Sequence, residues 1–457
     1  MKILSPKNNI QSSLFDTARE KPKPQTYNMR DYQEEASAKS VYNLNNSPHP
    51  FFSVLPTGSG KSLIVADICH KINDWTLILQ PSKEILEQNY HKLLSYGVQD
   101  VSIYSASFNS KTIDKYTYAT IGSIYKHPEK FMKFRKVIVD ECHGVNPKSL
   151  GGMYNQFFKA IGVSSICGLT ASPYRIVQKF FKEGGDMIYT AYLQTINRIA
   201  PFFFKKMVYN ISIQELLNRG YLAPFKYKYY NDFDTSNIKI NTTGADFDQE
   251  AMNKFWSDDR LFKMSQIIQE VDAECKSNLI FCSSIKQAKR CCEMLTHMGL
   301  SSDFISSEFK PGKRDQVIND FKAGKIKHVC NVGVLTTGFD YPELDCITLA
   351  RPTMSLALYY QMAGRGMRID PNNPNKVCKI VDICEISKRM GRVETIRMAK
   401  EADGFRDIVM SEMGEITNKP LFRFRVKDEK LLKQLKENFN ENDLNNKGLE
   451  KIEEYKF

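Results

Sequence analysis

Val54-Leu55-Pro56-Thr57-Gly58-Ser59-Gly60-Lys61-Ser62 is the stretch on which the reading of this chain turns. The apolar run at 51–55 predicts a buried strand and 63–69 predicts a helix, with a Gly/Ser turn between them. A strand, a glycine-bearing loop and a helix N-terminus form a cradle in which backbone N–H groups and the helix dipole converge on an anion. In such a cradle Thr57, Gly58, Ser59 and Gly60 bring bare backbone against a phosphate chain. Lys61 is placed to reach the β- and γ-phosphates of ATP, and the Ser62 hydroxyl to ligate Mg²⁺. The stretch departs from G-x-x-x-x-G-K-[ST] in having Leu55 at the first glycine position.

A chain of 457 residues has room for about three domains. Apolar content of 42% and charged content of 25% are those of a soluble globular protein. The net charge of +12 points toward a polyanion partner, although charge alone also fits a solubilising surface. Eleven cysteines are scattered through apolar runs without a C-x-x-C pair, which predicts reduced, buried thiols and no zinc site. Neither a signal peptide nor an apolar stretch of about 18 residues is present, so the expectation is a cytoplasmic protein with no membrane partner.

Residues 1–25 are polar and read as a flexible arm carrying Gln11-Ser12-Ser13-Leu14-Phe15. That pentapeptide resembles the Gln-x-x-Leu-Phe peptides with which bacterial replication and repair proteins dock on a sliding clamp, and it also fits a disordered arm with one apolar pair. Beyond it, short apolar runs at 51–55, 75–80, 101–104, 136–140 and 165–169 alternate with helical periodicity, as in 82–96. The rhythm returns at 278–282, 302–305, 328–332, 346–349 and 377–382. Near-continuous apolar strands between helices predict α/β architecture with two doubly wound parallel sheets. The expected domains are 26–205 and 206–400, with a polar, Tyr- and Asn-rich stretch at 206–260 and 401–457 as a helical, charged tail. From Val426 onward seven Lys oppose eight Asp/Glu, so the tail is not a basic nucleic-acid arm. Phe202, Phe203 and Phe204, with Cys142 and Met367, read as packing residues.

Two further stretches carry chemistry. Val137-Ile138-Val139-Asp140-Glu141-Cys142-His143 is an apolar strand ending in paired carboxylates at the ligand-binding edge of a parallel sheet. There Asp140 suits a metal and Glu141 the orientation and deprotonation of a water. Gln361-Met362-Ala363-Gly364-Arg365-Gly366-Met367-Arg368 sets two arginines one helical turn apart in the second unit, suited to charge developing on a γ-phosphoryl group.

Taken together these stretches resemble the motifs of superfamily 2 helicases, nine of them in order from residue 29 to about 385. Met29-Arg30-Asp31-Tyr32-Gln33 is similar to their adenine-recognition motif, Gln80-Pro81-Ser82-Lys83 and Thr120-Ile121-Gly122-Ser123 to motifs Ia and Ib, and Asp140 to His143 to motif II in its D-E-x-H form. Thr170-Ala171-Ser172-Pro173 resembles motif III and 279–283 motif IV. Residues 331–340, with Thr336, Thr337, Gly338 and Asp340, resemble motif V, and 361–368 motif VI. The wording of the last two is most like RadD and its UvsW and XPB relatives, but the cysteine-rich C-terminal region of RadD-type proteins is missing. The Asn/Lys-rich composition and short form fit a version from a phage or low-GC bacterium.

The resemblance implies two tandem RecA-like domains closing on ATP–Mg²⁺. Arg30 and Gln33 would hold the base and Asp340, beside Gly338, the ribose. Lys61, Ser62 and Asp140 would hold phosphates and metal, while Glu141 activates water. Arg365 and Arg368 would act from the opposite domain, with His143, Gln361 and motif III linking the γ-phosphate to cleft closure. Ser82, Lys83, Gly122, Ser123, Thr336 and Thr337 would contact single-stranded, forked or branched DNA. The expected activity is an ATP-dependent DNA helicase or translocase of recombination, repair or replication. An RNA helicase, a non-catalytic nucleic-acid scaffold and a phosphate-loop kinase or GTPase are the rivals.

Overall fold

A computed structural model describes residues 28–145, 152–241, 246–336, 339–402, 404, 406–426 and 449–454. The clamp-like pentapeptide at 11–15, the rest of the arm, Thr337 and Gly338 lie outside the described residues.

The first unit begins with α1 (Asp31–Asn46), β1 (Phe51–Val54), α2 (Lys61–Ile72), β2 (Thr76–Gln80) and α3 (Lys83–Ser95). It continues through β3 (Val101–Ser105), β4 (Ser110–Lys111), β5 (Tyr116–Thr120), α4 (Ile121–Ile124), β6 (Lys136–Asp140), α5 (Met153–Ile161) and β7 (Ile166–Thr170). A hairpin of two ten-residue strands, β8 (Tyr174–Glu183) and β9 (Asp186–Thr195), then leaves the sheet, and β10 (Lys206–Asn210) returns to its edge. The strand order is β10-β1-β7-β6-β2-β5-β3-β4, parallel except for the short β3–β4 pair. Strands β1, β2 and β7 are buried along their whole length, as expected of a sheet covered on both faces.

After α6 (Ile213–Asn218) the second unit contains β11 (Phe225–Tyr229), α7 (Gln249–Phe255), α8 (Asp258–Asp272), β12 (Asn278–Cys282) and α9 (Ile285–His297). Then come β13 (Ser302–Ile305), α10 (Pro311–Lys322), β14 (His328–Asn331), β15 (Cys346–Ala350), α11 (Leu356–Ala363) and β16 (Cys378–Asp382). All six strands are parallel, in the order β11-β16-β15-β12-β14-β13.

Two boundaries differ from expectation. Residues 206–210 form β10 of the first sheet, so the crossing between units falls at 211–224. Residues 225–229, placed in a polar stretch by composition, form the edge strand β11. Its Phe-Lys-Tyr-Lys-Tyr alternation has the period of a strand with one wet face.

Among the described residues of 401–457 the C-terminal region is built of strands, where its charge suggests a helical tail. After α12 (Ile386–Met390), β17 (Arg397–Lys400), β18 (Asp407–Ser411) and β19 (Gly414–Glu415) form a small antiparallel sheet. Strand β20 (Pro420–Val426) pairs with β9, and β21 (Leu449–Glu454) with β20, extending the hairpin to four strands. The Leu-Phe-Arg-Phe-Arg-Val alternation at 421–426 is a strand period that a count of charges passes over. The region ties the units together. Tyr227 donates to Glu394 at 2.9 Å, Arg198 pairs with Glu401 at 2.7 Å, and Asn197 donates to Asp407 at 2.8 Å.

Cys142, Met367 and Phe204 are buried as packing residues, whereas Phe202 is half exposed. Beneath the carboxylate-bearing strand end, Gly168 lies where a Cβ would meet Cys142 Sγ at 2.6 Å and Phe204 at 2.9 Å. Gly168→Ala is therefore expected to destabilise the first unit by about 1–3 kcal/mol through overpacking. Thermal unfolding checks this, and an unchanged midpoint would mean that the strand has room to shift.

Candidate active site

The carboxyl ends of β1, β6 and β7 meet in one crevice, which the second unit faces. Between β1 and α2 the chain passes Gly58 at φ +84° and Gly60 at φ +81°, both in the left-handed region open to glycine. A Cβ on Gly60 would lie 2.4 Å from Gln33 Nε2, so the loop has no space for a side chain there. The Gln33 side chain accepts from Arg30 N–H at 2.9 Å and donates to Ser59 O at 2.8 Å, and Tyr32 donates to the same oxygen at 2.8 Å. Gln33 thus braces the loop from beneath. Arg30 stacks over Tyr221 at 4.3 Å, and Tyr221 lies 5.5 Å from Tyr32. By sequence alone Tyr221 is one tyrosine of the polar stretch at 206–260.

Lys61 Nζ stands 3.7 Å from Glu141 Oε1 and donates to Leu55 O at 3.4 Å. The Ser62 hydroxyl donates to Asn89 Oδ1 at 2.9 Å, and Asn89 Nδ2 lies 3.5 Å from Asp140 Oδ2. Asn89, on α3, belongs to none of the motifs read from the sequence. The strand leading to Asp140 is followed by Glu141 at φ +48°, an unusual angle for a residue with a Cβ that turns its carboxylate back into the crevice. His143 Nδ1 lies 2.9 Å from Thr170 Oγ1, 3.2 Å from Ser172 Oγ and 3.4 Å from Glu141 Oε2, which joins motif II to motif III.

The two carboxylates are pulled apart electrostatically. Burial, with Glu141 alongside, raises Asp140 above its ordinary value against the pull of Lys61. Burial acts the same way on Glu141, but Lys61, His143 and Arg365 outweigh it and hold Glu141 below the usual range. Burial lowers His143 against the pull of Glu141.

From the second unit, Arg365 is 7% exposed and donates to Phe339 O at 2.9 Å. Burial, then Arg368 beside it, brings Arg365 down to about 9, which leaves it charged at neutral pH. Arg368 pairs with Asp340 at 2.6 Å, and Asp340 lies 3.6 Å from Lys92 of the first unit. Asp340, expected at a ribose, is thus held in a cation–anion–cation row. Gln361 is half-buried on α11 and its carbonyl accepts from Arg365 at 3.4 Å.

The expected strand contacts are less uniform. Ser82 caps α3 by accepting from Ile85 N, Lys83 lies over Phe108 at 4.6 Å, and Ser123 Oγ bonds Thr120 at 2.9 Å. Gly122 opens onto free space. Thr336 is buried, at 7% exposure.

Comparison with known proteins agrees with this geometry. Residues 26–175 match the family described as Type III restriction enzyme, res subunit, and residues 262–370 the Helicase conserved C-terminal domain. Together these are the domains of a superfamily 2 helicase. The chain is 23% identical over 320 residues to a 51.5 kDa protein of a Lactococcus phage, covering 68% of this chain and 61% of that one. It is 23% identical to IRC3 of Saccharomyces cerevisiae, covering 78% and 51% respectively, so it spans only part of the length of these relatives. A 201-residue stretch is 27% identical to the DNA 3'-5' translocase XPB2 of Sulfurisphaera tokodaii, covering 44% of this chain and 39% of that one.

Among solved structures, the fold matches the ATP-dependent Type ISP restriction-modification enzyme LlaBIII bound to DNA. The TM-score is 0.56 at 15% identity, over 79% of this chain and 28% of that one. It also matches a point variant of S. cerevisiae Dbp5 bound to RNA and ADP BeF3, with a TM-score of 0.51 at 15% identity over 77% and 82%. The fold is that of two RecA-like units, and the two matched domain types are those of helicases. Among the described residues, no helix is long and apolar enough to cross a membrane.

The two units approach each other closely. A Cβ on Gly364 would lie 2.8 Å from Thr57 Cβ across the crevice. Gly364→Ala is expected to hold the units apart and lower ATP turnover by about 10²-fold, the scale of a misplacement near 1 Å. Steady-state hydrolysis checks this beside thermal unfolding, which reads the second contact of the same Cβ, 2.9 Å from Tyr360 O in its own unit. Turnover at the normal rate would mean that hydrolysis does not need this closure.

Proposed function

We propose that the chain is an ATP-driven DNA helicase or translocase that unwinds or branch-migrates forked or branched DNA in recombination, repair or replication. The observation that carries the motor reading is the convergence of Lys61, Glu141 and Arg365 from two separate units on one crevice. For DNA as the track, the support is the positive net charge together with the XPB2 translocase and DNA-bound restriction enzyme among the similar proteins. The stretch similar to XPB2 supports placing the chain with the RadD-, UvsW- and XPB-like branch of the superfamily.

The residues suit ATP and Mg²⁺. Two glycines at positive φ form the cradle, and Ser62 and Asp140 offer a hydroxyl and a carboxylate, hard oxygen donors of the kind Mg²⁺ takes. Mg²⁺ bound there would neutralise phosphate charge. Lys61 exchanges its contact with Glu141 for the β- and γ-phosphates, which frees that carboxylate to orient and deprotonate the attacking water. Arg365 and Arg368 stabilise charge developing on the γ-phosphoryl oxygens, and Arg368 leaves Asp340 to do so. Arg30 and Tyr221 form the side of the crevice suited to an adenine face, with Asp340 toward the ribose. His143 and Thr170 carry the state of the γ-phosphate from Glu141 into motif III, and thence to β8, which begins right after it.

On the DNA side, Ser82, Lys83, Gly122 and Ser123 sit at the start of α3 and along α4, where backbone N–H groups hold a strand by its phosphates without reading sequence. Each hydrolytic cycle opens and closes the crevice and advances one unit along the strand.

Hydrolysis measured without nucleic acid, then with single-stranded DNA, forked DNA and matched RNA, tests the reading. The expected order places forked DNA highest, and equal or better stimulation by RNA would overturn DNA as the track. Glu141→Gln should lose about 10²–10⁴ in turnover, the scale of a positioned general base. Arg368→Ala should lose about 10³–10⁵. Normal turnover in either variant would remove that residue from the chemistry.

A further inference from the structure

Asn89 lies on α3, outside the stretches that carry the chemistry, yet its amide joins two of their side chains. Its Oδ1 accepts the Ser62 hydroxyl hydrogen at 2.9 Å, and its Nδ2 faces Asp140 Oδ2 at 3.5 Å. A carboxylate is acceptor-only when ionised, so the amide nitrogen must point at Asp140 and the amide oxygen at Ser62. That orientation has a consequence at each end. Ser62 hands its hydrogen to Asn89 and keeps its oxygen lone pairs for a cation. Asp140 has Oδ1 held by Glu141 N at 3.0 Å and Oδ2 by Asn89, which fixes the plane of the carboxylate. The helix brings Asn89 there by rigid means, because Leu86 and Leu93, three residues before and four after it, are fully buried on the same face.

We infer that Asn89 is a positioning residue for Mg²⁺: its amide presets the Ser62 hydroxyl and the Asp140 carboxylate as ligands and stays bonded to both when the cation is bound. The inference rests on the reading that Ser62 and Asp140 hold Mg²⁺. A side chain that orients metal ligands without touching the metal is worth about 10–100-fold in metal affinity. Because Asn89 meets neither the phosphate loop backbone nor the base-facing Arg30 and Tyr221 pair, its loss should leave metal-free nucleotide binding unchanged.

The test is binding of a fluorescent, non-hydrolysable ATP analogue to the full chain, titrated with Mg²⁺ and repeated in EDTA. Wild type, Ser62→Ala, Asn89→Ala and Asn89→Leu are compared. The leucine variant keeps the volume and continues the apolar face of α3, so it folds even if the alanine variant is loosened. Both Asn89 variants are expected to raise the Mg²⁺ concentration for half-maximal binding about 10–100-fold, with affinity in EDTA within about twofold of wild type. If Ser62→Ala shifts the Mg²⁺ titration and the Asn89 variants do not, the inference falls while the metal-site reading stands. Equal losses with and without Mg²⁺ in both Asn89 variants would also overturn it, because Asn89 would then be holding the fold rather than the ligands. If wild-type binding ignores Mg²⁺, or Ser62→Ala has no effect, the metal-site reading itself fails and takes the inference with it.

Discussion

Everything at this site depends on keeping bare backbone between β1 and α2. A phosphate chain can approach N–H groups only where side chains do not stand in the way, and a turn that tight needs positive φ. Gly58 and Gly60 meet both demands, at φ +84° and +81°. The same bareness lets the second unit come close, with Leu222 and Arg368 near the place where a Cβ of Gly58 would stand. One local constraint therefore serves two purposes. It makes a cradle for an anion, and it makes the cradle the surface on which the units meet.

Around that loop the charges balance in pairs that a nucleotide would redistribute. Lys61 lies near Glu141, and Arg368 is paired with Asp340, which in turn faces Lys92. Each buried cation needs a counter-charge, since an isolated one would carry a desolvation cost of several kcal/mol. On the proposed reading, phosphates entering the crevice would compete with these carboxylates for Lys61 and Arg368, leaving Glu141 to a water and Asp340 to the ribose side. The ion pairs that hold the crevice together would then be the ones a nucleotide displaces.

Much of this is legible from residue types and spacing. The two parallel sheets follow from apolar runs separated by helical periodicity, and the phosphate loop, paired carboxylates and paired arginines each carry a local pattern. Misreadings arise where a pattern is diluted. Strand β11 is an edge strand whose Tyr and Lys alternate, so mean polarity hides its period. Strand β20 disappears in a count of charges. Strand β10 is short and joins the first sheet across more than 150 residues of sequence, a distance at which no local signal operates.

Asn89 and Tyr221 show a different kind of silence. Leu86 and Leu93 are buried on the face of α3 that also carries the half-buried Asn89. The spacing places Asn89 on that face but does not say what it bonds. Its partners come from α2 and from the end of β6, brought together only by the sheet order that sets β2 next to β6. Tyr221 likewise becomes a stacking partner only because 211–224 crosses back over the start of α1. Residues that do chemistry carry their motif with them along the chain, whereas residues that hold the chemistry in place are defined by neighbours that the fold alone supplies. The supporting shell of a motor like this one is for that reason better read from its hydrogen bonds than from its motifs.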